Sequence, residues 1–393
     1  MTFQSDASPS PRVPEWTESK VWVDSLESAP ARVGWMRPGT RLGAYEIIEY
    51  IACGGMAAVW LAYQHGARGF RRLVALKTVL PELSDPETEA ELVEEARVIA
   101  SIDHPNVRPI FELIEDAGLL ALSMEWVDGD TLHGVLTGAH QEPLDCRIAA
   151  HIVSEVACGL HSAHELRDDQ GHLTQLIHRD VSPQNVLISK RGYVKLADFG
   201  VAMARVGRSR TNEIGQVRGK LGYMSPEQAC ALDLDRRTDI FSLGVILYEA
   251  TVGRHPFRHS HEDPEEQIAR LLIDPVPPPS EIDRSYPPEL ERIVLRALEK
   301  KPEGRFATAA EMQGALQQWL MGSGGPVSAS DVAEMIRHRT GARIDERDRR
   351  IERCGRPDST SRPRLAKPRA DGRRMSGVRL AVVPPYRRVG PGA

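Results

Sequence analysis

The chain has few cysteines for its 393 residues: Cys53, Cys146, Cys158, Cys230 and Cys354, with no C-x-x-C pair among them. Thiols scattered in this way argue against a disulfide framework and a zinc site, and a reducing compartment is the simplest reading. A strong charge excess is also missing. The net charge of −5 is small for this length, and nucleic-acid binders usually carry a marked basic excess, so no nucleic-acid partner is expected. The N-terminal stretch MTFQSDASPSPRVPEW has no basic segment followed by an apolar core, so no signal peptide is read there. Long apolar runs are lacking too. The longest, near Ile240–Val252, is broken by Ser242 and Glu249, and a membrane helix needs roughly 20 apolar residues. The expectation is a cytoplasmic protein with no transmembrane segment. No internal repeat is visible.

What is present is ordinary in bulk, with 41% hydrophobic and 27% charged residues, as in globular proteins. Residues 1–42 are rich in Pro, Ser and charge and hold no sustained period, which predicts a disordered extension. One or two of Trp16, Trp22 and Trp35 are expected to pack on the domain that follows, a partner-docking motif being the alternative. From Tyr45 the pattern changes. Residues 45–51, 58–63 and 72–77 read as strands separated by turn residues, an antiparallel meander. Residues 86–102 have helical spacing, with Leu92, Val93, Ala96, Ile99 and Ala100 on one face. Two short strands follow near 107–115 and 119–126. After Thr131 the text is mainly helical, at 146–166, 238–252, 289–300 and 309–320. This is an α+β pattern, a small antiparallel β-lobe with one helix and then a larger α-helical lobe, over 43–320. Gly322-Ser323-Gly324-Gly325-Pro326 marks a linker at 321–327. Charges alternate at helical spacing over 328–352, which predicts one amphipathic helix. Residues 353–393 hold eleven Lys/Arg against Asp358 and Asp371, a basic disordered tail, with contact to an anionic partner as the sharper alternative.

Four segments carry chemistry, in a fixed order. The first is Ile51-Ala52-Cys53-Gly54-Gly55-Met56-Ala57-Ala58-Val59, between two strands. The second is Val74-Ala75-Leu76-Lys77, followed on the next helix by Glu94-Glu95-Ala96-Arg97 and then His104-Pro105-Asn106-Val107. The third is His178-Arg179-Asp180-Val181-Ser182-Pro183-Gln184-Asn185, flanked by Ile177 and Val186-Leu187-Ile188. The fourth, Asp198-Phe199-Gly200, begins thirteen residues after Asn185. Singly, a Gly-Gly turn or an Asp-Phe-Gly is weak evidence. His-Arg-Asp with Asn five residues on is specific, and the order of the four together is more so.

This constellation resembles the eukaryotic-like (Hanks-type) serine/threonine protein kinases of bacteria, over roughly residues 45–320. The resemblance implies a bilobal protein-kinase-like fold and transfer of the ATP γ-phosphoryl group to Ser/Thr hydroxyls of proteins. ATP and Mg²⁺ are the implied cofactors, with Mn²⁺ as a substitute ion. Phosphoryl transfer needs the triphosphate held, its charge neutralised and the acceptor hydroxyl in line. By resemblance, Asp180 orients that hydroxyl and takes its proton, and Asn185 and Asp198 ligate the metal. Lys77, aimed by an ion pair with Glu95, holds phosphates; Glu94 and Glu91 are the alternatives by sequence. Met124-Glu125-Trp126-Val127 resembles the hinge that hydrogen-bonds adenine through its backbone, with Met124 as gatekeeper. Ile51, Ala52, Cys53, Gly54, Gly55, Met56, Val59, Ala75, Lys77, Glu95, Met124, Glu125 and Val127 thus form the implied nucleotide site. Glu227, in Ser225-Pro226-Glu227, is expected to pair with Arg305, and Asp239 to brace the catalytic loop, a helix cap being the other reading of Asp239.

The chain departs from the family pattern in places. Ala52 and Ala57 stand where the Gly-rich loop has its first and third glycines, and Ala resists φ > 0. Ser182 stands where a lysine usually contacts the γ-phosphate, and Lys220, in Gly219-Lys220-Leu221-Gly222, stands where a threonine is usual. A swap is expected, with Lys220 supplying the missing cation; otherwise Lys220 faces solvent and contacts peptide substrate. Thr211, then Ser209, are the expected autophosphorylation sites, among Arg205, Arg208 and Arg210, with Arg179 to receive the phosphate. His161, His164 and His172 read as polar decoration of a loop, with a metal site as the alternative. The rival functions are a pseudokinase scaffold that binds nucleotide and a small-molecule phosphotransferase. The helix at 328–352 is expected to form a homodimer or dock on a partner.

Overall fold

A computed structural model describes residues 36–53, 57–79, 86–116, 118–138, 142–199, 222–258 and 263–354, without the side chains of residues 87, 88, 91, 95, 264 and 354. The small lobe is built on strands β1 (Arg41–Leu42), β2 (Tyr45–Cys53), β3 (Ala57–His65), β4 (Arg71–Val79), β5 (Ile110–Asp116) and β6 (Leu119–Glu125). They form one antiparallel sheet in the order β1-β2-β3-β4-β6-β5. Alternating β-branched and aromatic residues suit a pleated, half-buried surface. Trp60 shows the consequence, being buried with its Nε1 donating to Thr78 Oγ1 at 3.1 Å, so its one polar atom is satisfied. Helix α1 (Pro86–Ala100) packs Leu92 and Ala96 against Val79 and Leu122 of this sheet.

The large lobe is helical around α3 (Cys146–His164) and α5 (Arg237–Val252), with α2 (Leu132–Thr137) before them and α4 (Pro226–Ala229) between them in the chain. Asp145 starts α3 by accepting from the backbone N–H groups of Arg147 and Ile148, the ordinary remedy for orphan donors at a helix start. Helix α5 is buried on nearly every side, as its apolar run demands. It ends at Gly253, whose φ of +76° lets its N–H reach the Glu249 carbonyl. Helices α6 (Pro264–Ile273), α7 (Pro279–Ile282), α8 (Pro288–Ala297) and α9 (Ala309–Gly322) complete the lobe. A three-stranded sheet, β7 (Gly129–Thr131), β8 (Val186–Ser189) and β9 (Val194–Leu196), lies beside the cleft.

Two expected boundaries move. The disordered extension was expected to run to residue 42, but Met36 and Leu42 are buried and β1 pairs with β2. A few apolar anchors do not alter the composition of a Pro-rich, charged stretch, so composition alone sets the boundary too late. Trp16, Trp22 and Trp35 lie outside the described residues. The linker expected at 321–327 is not a free tether. Helix α9 runs into it, the Gly325 carbonyl accepts from Arg147 at 2.8 Å, and Val327 is buried. Beyond it, α10 (Ala329–Cys354) lies along the chain's own two lobes, burying Val332, Met335, Ile336, Ile344 and Ile351. The apolar face offered above to a second copy or partner is covered by this chain.

Candidate active site

The site is built where β4, the hinge and the β8–β9 hairpin converge. In β4, Lys77 lies opposite Val59 of β3 and Leu122 of β6, and Ala75 lies opposite Met124. Ala52 pairs with Val59, and Cys53 with Ala58, so the expected nucleotide residues of β2, β3, β4 and the hinge share one region of the sheet. Ala75 and Met124 are buried, while Ile51, Ala52, Cys53, Val59, Glu125 and Val127 are partly exposed at its edge. Lys77 reaches across the cleft, with Nζ 3.4 Å from Asp198 Oδ1. A cation from the small lobe and an anion from the large lobe therefore face each other.

The expected catalytic loop, 178–185, precedes β8 and is pinned from below. The buried Asp239 carboxylate accepts from the backbone N–H groups of His178 at 2.9 Å and Arg179 at 2.8 Å, and from His164 Nε2 at 2.8 Å. Burial alone would push the Asp239 pKa up, but the hydrogen bond and charge of His164 bring it below the usual value. His178 Nε2 donates to the Ala197 carbonyl at 3.1 Å, and its Nδ1 accepts from the Asp180 N–H at 3.3 Å. That assigns the neutral tautomer, in keeping with the downward shift that burial imposes on its pKa. Its ring also packs on Phe199, with centroids 4.4 Å apart. Arg179 and Asp198 adopt positive φ, 66° and 54°, a conformation that costs non-glycine residues energy and persists where surroundings enforce it.

Asp180 itself is held by Asn185. Asn185 Nδ2 donates to the Asp180 carbonyl at 2.7 Å and to Asp180 Oδ2 at 3.0 Å. Both amide hydrogens are thus spent on Asp180, and Oδ1 is the atom left to serve as a ligand. The Ala197 N–H donates to the Asn185 carbonyl at 2.8 Å, and Val186 pairs with Leu196, which brings the Asp198 turn beside Asn185. Ser182 is buried within the same loop. Gly54, Gly55, Met56, the Glu95 side chain, and segment 200–221 with Ser209, Thr211 and Lys220 lie outside the described residues.

Below the site, Glu227 and Arg305 form a buried bidentate pair at 2.7 and 2.8 Å. The other Arg305 donors reach the carbonyls of Glu299, Arg237 and Lys300, so all five are engaged. Two residues were not expected here. Arg108 is buried and its Nε donates to the Glu125 carbonyl of the hinge at 2.8 Å. The sequence held one signal for it, a charge two residues ahead of β5. His164 is not loop decoration but sits at the buried end of α3 against Asp239. Its helical spacing after Leu160 was the signal that could have found it.

The protein kinase domain family matches residues 45–320. The chain belongs to the protein kinase family. Among curated proteins it is 39% identical over 285 residues to tyrosine-protein kinase MasK of Myxococcus xanthus, covering 71% of this chain and 43% of that protein. To serine/threonine-protein kinase PknB of Mycolicibacterium smegmatis it is 36% identical, covering 68% and 42%. To PrkC of Bacillus subtilis it is 33% identical, covering 69% and 40%. The chain thus spans less than half the length of these relatives. Its fold is similar to the crystal structure of the Mycobacterium tuberculosis PknI kinase domain, with TM-score 0.52, 24% identity, and 72% and 98% of the two chains covered. The family generally uses ATP and Mg²⁺. Among the described residues no helix is long and apolar enough to cross a membrane.

Proposed function

We propose that this kinase transfers the γ-phosphoryl group of ATP to serine and threonine hydroxyls of proteins, its own activation segment included. The observation that carries this is Asn185 holding Asp180 while Lys77 faces Asp198 across the cleft. Asp180, with Oδ2 fixed by Asn185, orients the acceptor hydroxyl and takes its proton as the bond from its oxygen to the γ-phosphorus forms and the bond from that phosphorus to the β–γ bridging oxygen breaks, with ADP as the leaving group. In this reading Lys77 holds the α- and β-phosphates, and the backbone of Glu125 and Val127 receives adenine. Arg108 already donates to the Glu125 carbonyl, so the base shares that acceptor or displaces the arginine.

The Asp198 carboxylate and the Asn185 amide oxygen are hard oxygen donors that suit Mg²⁺. When bound, the ion supplies charge neutralisation on the phosphate oxygens. Ser182 leaves the loop without its usual lysine, and Lys220 is the proposed replacement for that cation. Arg179 supports a role for phosphate on Thr211 or Ser209: its buried Nε has no hydrogen-bond partner among the described residues.

The test is incubation of the purified protein with γ-labelled ATP and Mg²⁺ or Mn²⁺, alone and with a general substrate such as myelin basic protein, beside Asp180→Asn. The expected result is label on serine and threonine that is absent from the variant, with Thr211 or Ser209 modified by mass spectrometry. No label in the wild type overturns the proposal. Label on tyrosine alone would move the chain to the specificity that the name of the Myxococcus relative states.

A further inference from the structure

Helix α10 lies outside the matched domain, yet it touches both lobes and the hinge between them. Its start is fixed to the large lobe. Ser328 and Asp331 cap each other's backbone, Val332, Met335 and Ile336 enter the large-lobe core, and Arg339 donates to the carbonyls of Glu142 and Pro143 at 2.8 and 3.0 Å. Its middle reads the hinge. Arg343 Nε donates to Asp130 at 2.9 Å, and Arg347 donates to the Gly129 carbonyl at 2.7 Å and to Asp128 at 3.2 Å. The Arg347 guanidinium lies over the Trp126 ring at 4.9 Å, and Lys190 bridges Asp128 and Asp348 at 2.7 Å each. Its last turns reach the small lobe, where Arg350 Nε lies 2.6 Å from Glu49 Oε1 and Ile351 packs on Ile48 and Leu61.

The fit extends to the kinase domain's own residues. A Cβ on Gly192 would lie 1.8 Å from the Ala329 carbonyl oxygen, and one on Gly134 2.6 Å from Asp130 Oδ1 and 1.8 Å from Arg343. Two glycines thus clear the path of the helix. Glu49 is buried, and its Oε2 has no hydrogen-bond partner among the described residues. A buried carboxylate with so little compensation depends on the cation beside it. Glu49 stands on β2, which leads directly into the Gly-rich loop.

We propose that α10 is a clamp across the hinge, and that Arg350 is a positioning residue which holds β2 at the separation from the large lobe that nucleotide binding needs. Arg343, Arg347 and Arg350 fall three and four residues apart, on one stripe of the helix. That stripe meets Asp130, Asp128 and Glu49 in order from the large lobe to the small. Releasing its upper end lets the small lobe rock on the hinge. The binding of Mg·ATP then carries the cost of restoring the geometry, which appears as weaker affinity.

The test uses the full chain as wild type, Arg350→Glu, Glu49→Arg and the double charge swap. Binding of Mg·ATP is followed by calorimetry, KM and kcat by phosphate transfer, and β2 by amide hydrogen exchange. Each single reversal is expected to weaken Mg·ATP binding by about tenfold, the scale of a lost charge pair, with a smaller change in kcat and faster exchange over Tyr45–Cys53. The double swap is expected to restore affinity to within about threefold of wild type. Unchanged affinity in both reversals, or no rescue in the swap, overturns the clamp. If a reversal does not fold, Arg350→Gln in the same assays decides. The clamp rests on the kinase reading only for KM and kcat. Wild-type protein that binds Mg·ATP but transfers nothing fails that reading and leaves the binding and exchange results to judge the clamp.

Discussion

The two lobes are held together in different ways. The large lobe has one continuous apolar core, from Ile99 of α1 through α3, α5 and α9 to Ile344 of α10. The small lobe is broken into three clusters: one around Trp60, one between α1 and the sheet, and one of Ile48, Leu61 and Ile351. The third cluster is completed by a residue from outside the lobe. The charged pairs follow the same division. Glu227–Arg305 is wholly internal to the large lobe with every guanidinium donor used, whereas Glu49 relies on Arg350 from α10. A thin sheet with one helix buries little surface for its size, so it takes support from its neighbours. A lobe secured partly from outside is also one whose position a single helix can set.

The comparison is most strongly broken at Arg305. Arg305→Ala leaves the buried Glu227 carboxylate without its cation, and a loss of about 3–5 kcal/mol is expected from denaturant titration. The next effect depends on pH and belongs to the large lobe. Burial, and then the charge of Arg258, push the His255 pKa down to about 3. Between pH 6.5 and that value the unfolded chain binds a proton that the folded chain does not. This contribution is therefore complete above the unfolded pKa and declines as pH falls. At pH 5 it amounts to a loss of roughly 2 kcal/mol, and His255→Gln should flatten that part of the profile.

In the small lobe, Ile351→Ala should cost about 2 kcal/mol, the low end for a buried aliphatic, because it sits near a helix end. Its signature is local: faster amide exchange in β2 and β3 with α3 and α5 unchanged. If the change spreads through the large lobe, the two lobes are not independent in this sense. The smallest effect is expected for Arg41→Ala. Its pair with Glu46 at 3.3 Å is largely exposed, and no more than about 0.5 kcal/mol should be lost.

Much of the fold was legible in the residues. The strands read at 45–51, 58–63 and 72–77 are β2, β3 and β4, and the helices read at 146–166 and 238–252 are α3 and α5. Those segments have strong periods, and local physics suffices to read them. The site was legible for another reason: Asp180 and Asn185 lie five apart in one loop, so their spacing nearly dictates their contact. The partners of Arg108 and His164 were not legible, because Glu125 lies 17 residues from the first and Asp239 75 residues from the second, with no local pattern joining them. For α10, helical character could be read but its destination could not, since an amphipathic stripe does not say whether it faces a second chain or its own.

By itself, the sequence determined the order of β-lobe and helical lobe, the four chemical segments and the missing lysine at Ser182. These depend on side-chain period and on residues near one another in the chain. Tertiary structure alone decided that Asp239 collects three donors from two segments, that Arg108 lies on the hinge, and that Arg343, Arg347 and Arg350 meet Asp130, Asp128 and Glu49. Such pairings arise from the burial of many groups at once. A carboxylate that must leave water takes whichever donor the packed chain brings to it, and that donor is fixed by the packing of both lobes together.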